Sequence, residues 1–496
     1  MSNYVGIDLG TTFSAAAYVD ASGMPRMIPN DRGENITPSC VALINDEISV
    51  GERARRQWGN AEESAAARFK RDMGTTKTHS IDGEKYSPSD LSAAVLQKIR
   101  EDVEKSIGDI AEAVVTIPAN FSQEARDATM AAATKAGLKV RHIVNEPTAA
   151  ALYYAYQSGD ELAGNYAVFD LGGGTFDVSI IRINGQEVDV LASNGLSKLG
   201  GDDFDQALWT LIASKYKAET GFVLTREDFS LNQAEEEKKS LSQRKRTTAE
   251  IERELIDITR IEFEECVSGL IAQISMMCES TLDEADLDAS EITAVLLAGG
   301  STRIPAVVDC ATKAFGQEPM ATANVDEVVA LGACLYAAYR SDGSTLTEIQ
   351  KKSVSRLKIT EVTNEYFGTI TLGHSESRGE ELINSILISK GEKLPCSVTK
   401  SYFTVFEGQD SISCRITESK SPESNPKFVK IIHEEEFTLP PGRAAGMEIQ
   451  ITYSYDENQM MNASFKDVSS GQETKITLSR ASDSAASSKI NKFLVD

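Results

Sequence analysis

The stretch that most constrains this chain is Ala167–Asp177, in which an apolar strand runs into Asp170, three glycines and Thr175. A second apolar stretch, Phe176–Ile183, follows directly, so the sequence predicts a β-hairpin with a glycine turn. Glycines allow positive φ and bring backbone N–H groups close to a ligand, and a row of such donors suits a phosphate. The carboxylate and the hydroxyl suit a hydrated divalent metal. A plain glycine-turned hairpin is the alternative for this motif taken alone.

The same pattern occurs near the start of the chain. In Tyr4–Ser14 an apolar strand again runs into Asp-Leu-Gly, at Asp8, and then into hydroxyl side chains. The two aspartates are 170 − 8 = 162 residues apart and form one pair, which indicates a duplicated lobe rather than a solenoid. A third loop, Ala294–Pro305, leads from another apolar strand into paired glycines. Two facing hairpins could hold one polyphosphate and its metal from both sides.

The three loops resemble the two phosphate loops and the adenosine loop of the actin-like ATPases. Within that superfamily the chain is similar to the DnaK-type heat-shock chaperones, strongly over residues 3–340 and more loosely over residues 365–480, and it resembles their shorter, specialised bacterial paralogues. Further motifs of that family are Phe69–Arg71, Val115–Ala119, Asn145–Ala151 and Leu199–Asp205. The resemblance implies an α/β, actin-like, two-lobed ATPase domain followed by an all-β sandwich domain without a helical lid.

The resemblance also sets the expected domain bounds. We expect the ATPase domain at residues 1–345, with lobe I at about 1–165 and lobe II at about 166–345. An interdomain linker at 346–364, a β-sandwich at 365–480 and a flexible tail at 481–496 would follow. We take the Ser- and Ala-rich tail to be too short for the helical lid of longer relatives.

Hydrophobic periodicity and turn residues predict the main elements. An inserted subdomain at residues 37–112 should contain a helix at Ser89–Ile107, opened by Ser87 and Pro88. Other helices are predicted at Ser122–Ala136, Asn145–Tyr156 and Asp326–Ala338, and residues 203–286 should be mainly helical. In the C-terminal part, alternating residues predict strands at 402–406, 411–416 and 447–453.

Composition excludes several classes of protein. The net charge is −25 and the pI is about 4.7, which disfavours nucleic acid and anionic membranes as partners, although the acidic excess also serves solubility. Seven cysteines show no CxxC spacing, so neither a zinc site nor a disulfide framework is indicated. The first residues read as a strand, and no apolar run reaches about 18 residues. We therefore expect a cytoplasmic protein.

The resemblance assigns roles to residues of the phosphate site. Lys70 would approach the γ-phosphate, Glu146 would order the water shell of the metal, and Asp170 and Thr175 would complete the catalytic set. Asp8 and Asp170 would hold Mg²⁺ through water. The positions that match the family's phosphate-binding residues are Gly10, Thr11, Thr12, Phe13, Gly172, Gly173, Gly174, Gly200 and Gly201.

For two of these residues a simpler interpretation stays open. Lys70 stands in a basic run with Arg68 and Arg71, and such a run is usually a solvated face. Glu146 precedes a helix, where an acidic residue complements the helix dipole.

The resemblance also implies an adenosine site, cofactors and partners. The matching nucleoside positions are Glu235, Lys238, Ser242, Gly299, Gly300, Ser301, Arg303 and Asp326, and the positions that match allosteric residues are Pro118 and Arg126. The implied cofactors are ATP or ADP, Mg²⁺ and K⁺. The implied partners are a polypeptide client, a J-domain co-chaperone and a nucleotide exchange factor.

The chain departs from the family pattern at several positions. Phe13 replaces the usual Asn, and Val325 replaces the usual Pro. His142 stands where chaperones that dock J-domain partners usually carry Arg. The expected apolar linker is interrupted by Lys358 and Thr360. These departures argue against ordinary coupling between the domains and against a J-domain partner.

Two other functions remain to be weighed against an ATP-hydrolysing chaperone. The altered linker favours a nucleotide-bound regulator or co-chaperone whose hydrolysis is dispensable, whereas Lys70, Glu146 and Asp170 argue against it. A sugar or acid kinase shares the superfamily fold, but the β-rich C-terminal part and Lys70 argue against that reading.

Overall fold

The chain folds into two compact units. The computed structural model describes residues 3–45, 47–60, 62–159, 162–320, 324–375, 379–456 and 460–478. The first unit ends at Ile359, and the second covers Thr360–Arg480. The tail expected at 481–496 lies outside the described residues. The expectation that no lid follows the sandwich concerns the same residues and stays a prediction.

The first part of the first unit, lobe I, contains a sheet, an inserted subdomain and helices on the sheet faces. Its elements are β1 (Asn3–Asp8), β2 (Phe13–Val19), β3 (Pro25–Ile28), β4 (Thr37–Pro38), β5 (Cys40–Ile44), β6 (Glu47–Val50), α1 (Glu52–Asn60), β7 (Ala65–Ala67), β8 (His79–Ile81), β9 (Glu84–Tyr86), α2 (Pro88–Ile107), β10 (Ile110–Ile117), α3 (Gln123–Lys135), β11 (Val140–Asn145) and α4 (Glu146–Ser158).

Lobe II follows with a second sheet and more helices. Its elements, together with those that end the first unit, are β12 (Ala163–Leu171), β13 (Phe176–Asn184), β14 (Glu187–Leu196), α5 (Gly201–Thr220), α6 (Leu231–Gln243), β15 (Arg246–Ile251), β16 (Glu254–Thr259), α7 (Arg260–Cys266), α8 (Ser268–Glu284), β17 (Ile292–Ala298), α9 (Pro305–Phe315), β18 (Pro319–Met320), α10 (Val328–Arg340), α11 (Glu348–Val354) and β19 (Lys358–Thr360).

The two lobes repeat one topology, as the paired motifs predict. The strand order is β11-β10-β1-β2-β3 in lobe I, where β4 also pairs with β2, and β18-β17-β12-β13-β14-β19 in lobe II, so the first five strands of the two sheets correspond. In each sheet a parallel pair joins an antiparallel hairpin at corresponding strands. Each lobe has its own apolar core. The hairpins that carry Asp8 and Asp170 are therefore equivalent elements of the two lobes.

Helices α4 and α10 pack closely against each other at the base of the lobes. Gly332 on α10 permits this approach, because a Cβ there would lie 1.7 Å from the carbonyl oxygen of Ala149. Glycine is the residue that allows such backbone contact. The packing fixes the first turn of α4, where Glu146 lies.

The second unit is a sandwich of two four-stranded antiparallel sheets. The sheet orders are β21-β20-β23-β24 and β22-β25-β26-β27. Side chains from both sheets form one core, which includes Phe367, Ile416, Tyr453 and Phe465. The strands are β20 (Tyr366–Ser375), β21 (Gly379–Ile388), β22 (Cys396–Phe403), β23 (Ser411–Ser419), β24 (Lys430–Thr438), β25 (Glu448–Tyr455), β26 (Met461–Asp467) and β27 (Glu473–Thr477).

The predicted helices are present, with small shifts at their ends. Ser87 caps α2 through a reciprocal bond with Asp90, and Ser122 caps α3 by accepting from the N–H of Ala125. The helix predicted from Asp326 begins two residues later, at Val328.

Residues 203–286 are mainly helical, as predicted, and they also contain the short hairpin of β15 and β16. Two other expectations need correction. The strand predicted at 402–406 ends at Phe403, because the N–H of Met447 donates to the hydroxyl of Thr404 and the carbonyl of Thr404 accepts from the N–H of Gly446, so the return bond of the ladder is not formed. The stretch proposed as linker is partly helical, since Thr347 caps α11.

Candidate functional site

The site lies where the glycine turns of the two equivalent hairpins meet. A Cβ on Gly173 would lie 1.7 Å from Oγ1 of Thr12, and a Cβ on Gly174 would lie 2.5 Å from Cγ2 of Thr11. The turn of lobe II thus contacts the threonines of lobe I directly. Oγ1 of Thr12 is buried and has no hydrogen-bond partner among the described residues. A buried hydroxyl without a partner is costly, and a phosphate oxygen would satisfy it.

Two further loops join this turn from lobe II. The N–H of Gly201 donates to the carbonyl of Gly172 (2.9 Å), and the N–H of Asp202 donates to that of Gly173 (2.8 Å). The hydroxyl of Ser301 also donates to the carbonyl of Gly172 (2.9 Å). The structure therefore brings together the loops at 172–174, 200–201 and 299–301, which are far apart in sequence.

Lys70 lies inside the protein next to these loops. A short 3₁₀ turn, Phe69–Asp72, carries it, and the side chain is only 3% exposed. Its Nζ is 2.5 Å from Oε1 of Glu146 and 5.7 Å from the centre of the Phe121 ring. The interpretation of Lys70 as part of a solvated basic face is therefore wrong. Glu146 lies in the first turn of α4, so it complements the helix dipole and also pairs with Lys70.

The aspartates of both hairpins form a buried acidic cluster with Glu146. Asp8 ends β1 and accepts from the hydroxyl of Thr116 (2.8 Å), and burial and the negative charge of Glu146 raise its pKa to about 7. Burial raises the pKa of Asp170 well above its ordinary value, and Glu146, Asp177 and Asp8 add to the effect. Lys70 offsets only part of this repulsion. A bound cation would relieve it, because like charges in a site of low polarity disfavour ionisation.

Asp177 belongs to the same cluster, and the sequence reasoning missed it as a site residue. It is 1% exposed, pairs with Asp170 across the β12–β13 hairpin, and accepts from the N–H of Asn120 (3.3 Å). Burial and Glu146 raise its pKa to about 8. The available signal was its place at the end of the opening motif, seven residues after Asp170.

The carboxylates of the acidic cluster supply the oxygen donors that Mg²⁺ prefers. Within the described parts of the chain, no group of three or more His, Cys, Asp or Glu side chains is arranged to hold a metal ion. Mg²⁺ dehydrates reluctantly, so carboxylates from opposite hairpins could hold it through its water shell. The residues present therefore fit hydrated Mg²⁺.

The third glycine loop forms a separate part of the site. Gly299 has φ of +79° and donates its N–H to the carbonyl of Val325 (2.9 Å), so Val325 in place of the usual Pro still contacts the loop. Arg303 pairs with Asp326, with 2.8 Å between Nη1 and Oδ2. A Cβ on Gly300 would lie 2.8 Å from Oδ1 of Asp326. Gly299, Gly300, Arg303 and Asp326 thus form one surface, on which the planar guanidinium of Arg303 could stack against a base.

Glu235 and Lys238 are paired with protein groups, and Ser242 bonds within its own helix. Glu235 on α6 pairs with Arg55 on α1 (2.8 Å), and the guanidinium of Arg55 lies 5.1 Å from the centre of the Phe13 ring. Lys238 pairs with Asp205 (2.8 Å) and donates to the carbonyl of Gly201 (3.0 Å). The hydroxyl of Ser242 donates to the carbonyl of Lys238 (3.0 Å). Glu235 therefore bridges the lobes.

Comparison with known families agrees with this architecture. A family model described as Hsp70 protein matches residues 4–82 and 75–496 of the chain. The chain belongs to the Hsp70 family. Hsp70 proteins are ATP-dependent chaperones that bind ATP or ADP with Mg²⁺, and they generally bind polypeptide clients and co-chaperones. The family also implies actin-like ATPase lobes and a β-sandwich.

The two positions that match Hsp70 allosteric residues lie beside the acidic cluster. Arg126 is 2% exposed and donates from Nε to the carbonyl of Phe121 and from Nη2 to that of Ala119, both at 3.2 Å. Pro118 begins the same loop, since its carbonyl accepts from the N–H of Phe121 (3.3 Å). The loop at 118–121 therefore joins Arg126 to the ring that contacts Lys70.

No helix in the described ranges of this Hsp70 chain has the length and apolar character needed to cross a membrane. All seven cysteines are free thiols, and five of them are buried.

Proposed function

We propose that this Hsp70 chain binds and hydrolyses ATP and binds polypeptide clients through its β-sandwich, as a specialised chaperone. One observation carries the proposal of hydrolysis. The Lys70–Glu146 pair is buried beside Asp8 and Asp170 at the contact between the two glycine turns. A nucleotide-bound scaffold would need the glycine turns and the adenosine loop, but it would not need a buried lysine among carboxylates.

In ATP hydrolysis these residues would mainly position the reacting groups and balance their charge. Phosphoryl transfer proceeds through positioning and electrostatic stabilisation. Thr11, Thr12 and the N–H groups of residues 172–174 would hold the phosphates, and Asp8 and Asp170 would hold hydrated Mg²⁺. When bound, the metal supplies positive charge to the β- and γ-phosphate oxygens. Lys70 would offset the charge that develops on the transferred group, and Glu146 would orient the lysine.

The second unit supports client binding through an exposed apolar surface. Phe403 is 61% exposed, Val405 is 51% exposed and Phe406 is 61% exposed, so three of four consecutive residues present apolar side chains to solvent. We call residues 403–406 the apolar segment. Exposed contiguous apolar patches usually mark binding sites. An extended polypeptide with apolar side chains is the ligand that fits a sandwich surface of this kind.

The remaining expectations belong to the same proposal. Free, mostly buried thiols support a reducing compartment, which agrees with a cytoplasmic location. Potassium would add positive charge beside the aspartates. A J-domain co-chaperone and an exchange factor are proposed partners, although His142 and the linker weaken the case for the J-domain partner.

Two measurements on the purified full chain test this proposal. Single-turnover hydrolysis of radiolabelled ATP should exceed the uncatalysed rate and require Mg²⁺. Fluorescence anisotropy should detect binding of a labelled, extended apolar peptide. Tight ATP binding without hydrolysis would favour the nucleotide-bound regulator. Hydrolysis without any peptide binding would contradict the client-binding half alone.

A further inference from the structure

The apolar segment is held by a second loop of the sandwich, residues 440–447. The centre of this contact is Thr404, which is only 4% exposed although its neighbours are exposed. Its N–H donates to the carbonyl of Met447 (2.9 Å), and its carbonyl accepts from the N–H of Gly446 (2.7 Å). Its hydroxyl accepts from the N–H of Met447 (2.9 Å). The three apolar side chains are therefore presented by a buried, fully bonded threonine.

The supporting loop is in turn anchored by a buried ion pair. Arg443 is 7% exposed and Asp467 is 0% exposed. The guanidinium binds the carboxylate through both Nη atoms, with 2.9 Å between Nη2 and Oδ1. The carbonyl of Arg443 also accepts from the N–H of Gly408 (2.7 Å), just beyond the apolar segment. One residue thus joins the segment to the end of β26.

The carboxylate of Asp467, which binds this guanidinium, is itself held in place by neighbouring groups. It ends β26, and its carboxylate also accepts from the hydroxyls of Ser469 and Ser470. Arg443 and these hydroxyls hold the pKa of Asp467 well below its ordinary range, so the carboxylate is charged. A two-point Arg–carboxylate contact fixes orientation as well as distance. The anchor is therefore rigid and directional.

We propose that Arg443 and Asp467 are positioning residues for client binding. This inference rests on the proposed client-binding function. A ligand that meets an ordered surface does not have to order it, and such pre-organisation slows dissociation. A buried ion pair is weak evidence for stability, because desolvation offsets its attraction. The Arg443–Asp467 pair is linked to the end of the apolar segment through the bond from Gly408 to Arg443, and this link gives the pair a role other than stability.

The test uses the full chain in ADP and a fluorescein-labelled, uncharged, extended peptide rich in Leu and Val. Arg443→Lys keeps the charge and removes the two-point contact, and Thr404→Val removes the hydroxyl contacts without altering a buried charge. The matched control is Thr399→Val, because Thr399 lies on β22, the strand that leads into Thr404, and its hydroxyl shares an exposed hydrogen bond with that of Thr452 (2.8 Å). Stopped-flow displacement gives the rate constants. Hydrogen exchange of the Gly408 and Gly446 amides reports the loop itself.

We expect Arg443→Lys and Thr404→Val to raise the peptide dissociation rate about tenfold, with the association rate within twofold of wild type. Both variants should lose protection at Gly408 and Gly446 while the core strands stay protected. Thr399→Val should change neither quantity. If wild type binds no peptide, the proposed function fails instead.

The inference is overturned if both folded variants release peptide at the wild-type rate, or if Thr399→Val accelerates release equally. If Arg443→Lys fails to fold, Thr404→Val decides alone. Faster release without loss of protection at Gly408 and Gly446 would also contradict a positioning role.

Discussion

At the scale of single residues, the charge balance of the phosphate site depends on one lysine. Lys70 is the cation that lowers the pKa values of Asp8, Asp170 and Asp177. The Arg residues on either side of it instead pair with acidic residues of α5, Arg68 with Asp202 and Arg71 with Asp203. Three neighbouring basic residues thus separate into one buried group at the cluster and two that join the lobes.

We predict that Lys70→Ala leaves ATP binding nearly intact and slows single-turnover hydrolysis by about 10²-fold or more, as expected when a preorganised charge is lost. The control is Lys77→Ala, because Lys77 lies seven residues away and its side chain is 61% exposed. An unchanged single-turnover rate in Lys70→Ala would show that Lys70 has no catalytic role.

A second residue-scale prediction concerns Asp127 on α3. Burial raises the pKa of Asp127 to about 6, and the amide of Gln123 donates to it at 3.1 Å. A raised carboxyl pKa favours folding below the unfolded value of 3.8, and this contribution is lost as pH rises through about 6. Asp127→Asn should therefore stabilise the protein at pH 7.5 by about 1 kcal/mol, allowing for solvent screening, and much less at pH 4.5.

Scanning calorimetry of wild type and variant at both pH values measures this difference. Asp228→Asn supplies a control of opposite sign, because the hydroxyl and N–H of Thr225 lower the pKa of that exposed carboxyl. Equal stabilisation by Asp127→Asn at pH 4.5 and 7.5 would contradict an ionisation effect.

At the scale of elements, the site is built from two equivalent hairpins. β1–β2 and β12–β13 hold the same position in their sheets, and each places an aspartate at the end of its first strand. Strand ends of a central parallel pair are where open α/β sheets place ligands. The glycine turn of one hairpin and the threonines of the other then contact each other. Neither hairpin alone contains both carboxylates.

We therefore predict that Asp8→Asn and Asp170→Asn each weaken the enhancement of ATP binding by Mg²⁺, by about tenfold or more, because each lobe contributes one carboxylate to the hydrated metal. Calorimetric titration of ATP with and without Mg²⁺ measures the enhancement. Asp20→Asn is the control, since Asp20 bonds the turn after β2 and lies outside the cluster. If Mg²⁺ enhances ATP binding equally in the wild type and in all three variants, the metal is not held by carboxylates from both hairpins.

At the scale of the whole molecule, two independently cored units are joined by a polar stretch. Leu357 is buried within the first unit, whereas the side chain of Lys358 is 66% exposed. The N–H of Lys358 donates to the carbonyl of Gln186 (3.2 Å), so this residue attaches to the sheet of lobe II through its backbone. Backbone pairing of Lys358, whose side chain is exposed, does not itself bury apolar surface, and burial at about 25 cal/mol per Å² is the main source of docking energy.

Coupling between nucleotide and client must equal the differential interaction of the two states. We predict that ATP changes client affinity by less than about tenfold, or about 1.4 kcal/mol. Peptide anisotropy in ADP, and in ATP with Lys70→Ala, measures this. Replacing Lys358 and Thr360 together by Leu should increase the coupling. The control Lys352→Leu, at an exposed position of α11, should leave the coupling unchanged. A hundredfold difference in peptide affinity between ADP and ATP, with the linker unaltered, would contradict the prediction.

Local structure and the approximate place of the site could be predicted from the amino-acid sequence. Apolar strands, glycine turns and serine caps act over a few residues, so the two hairpins, the caps of α2 and α3 and the duplicated lobe could all be predicted. The resemblance of the motifs to those of a known family also predicted that the phosphate loops and the adenosine loop belong to one site. The exact role of each loop residue stays a prediction.

The burial of individual side chains and their ion-pair partners could not be predicted, because both depend on the three-dimensional packing. Lys70 reads like its basic neighbours in sequence, yet long-range packing places it against Glu146, 76 residues later. Asp177 looked like part of a strand, and the Arg443–Asp467 pair carries no motif. Burial and ion pairing depend on contacts between distant segments, and local periodicity contains no information about such contacts.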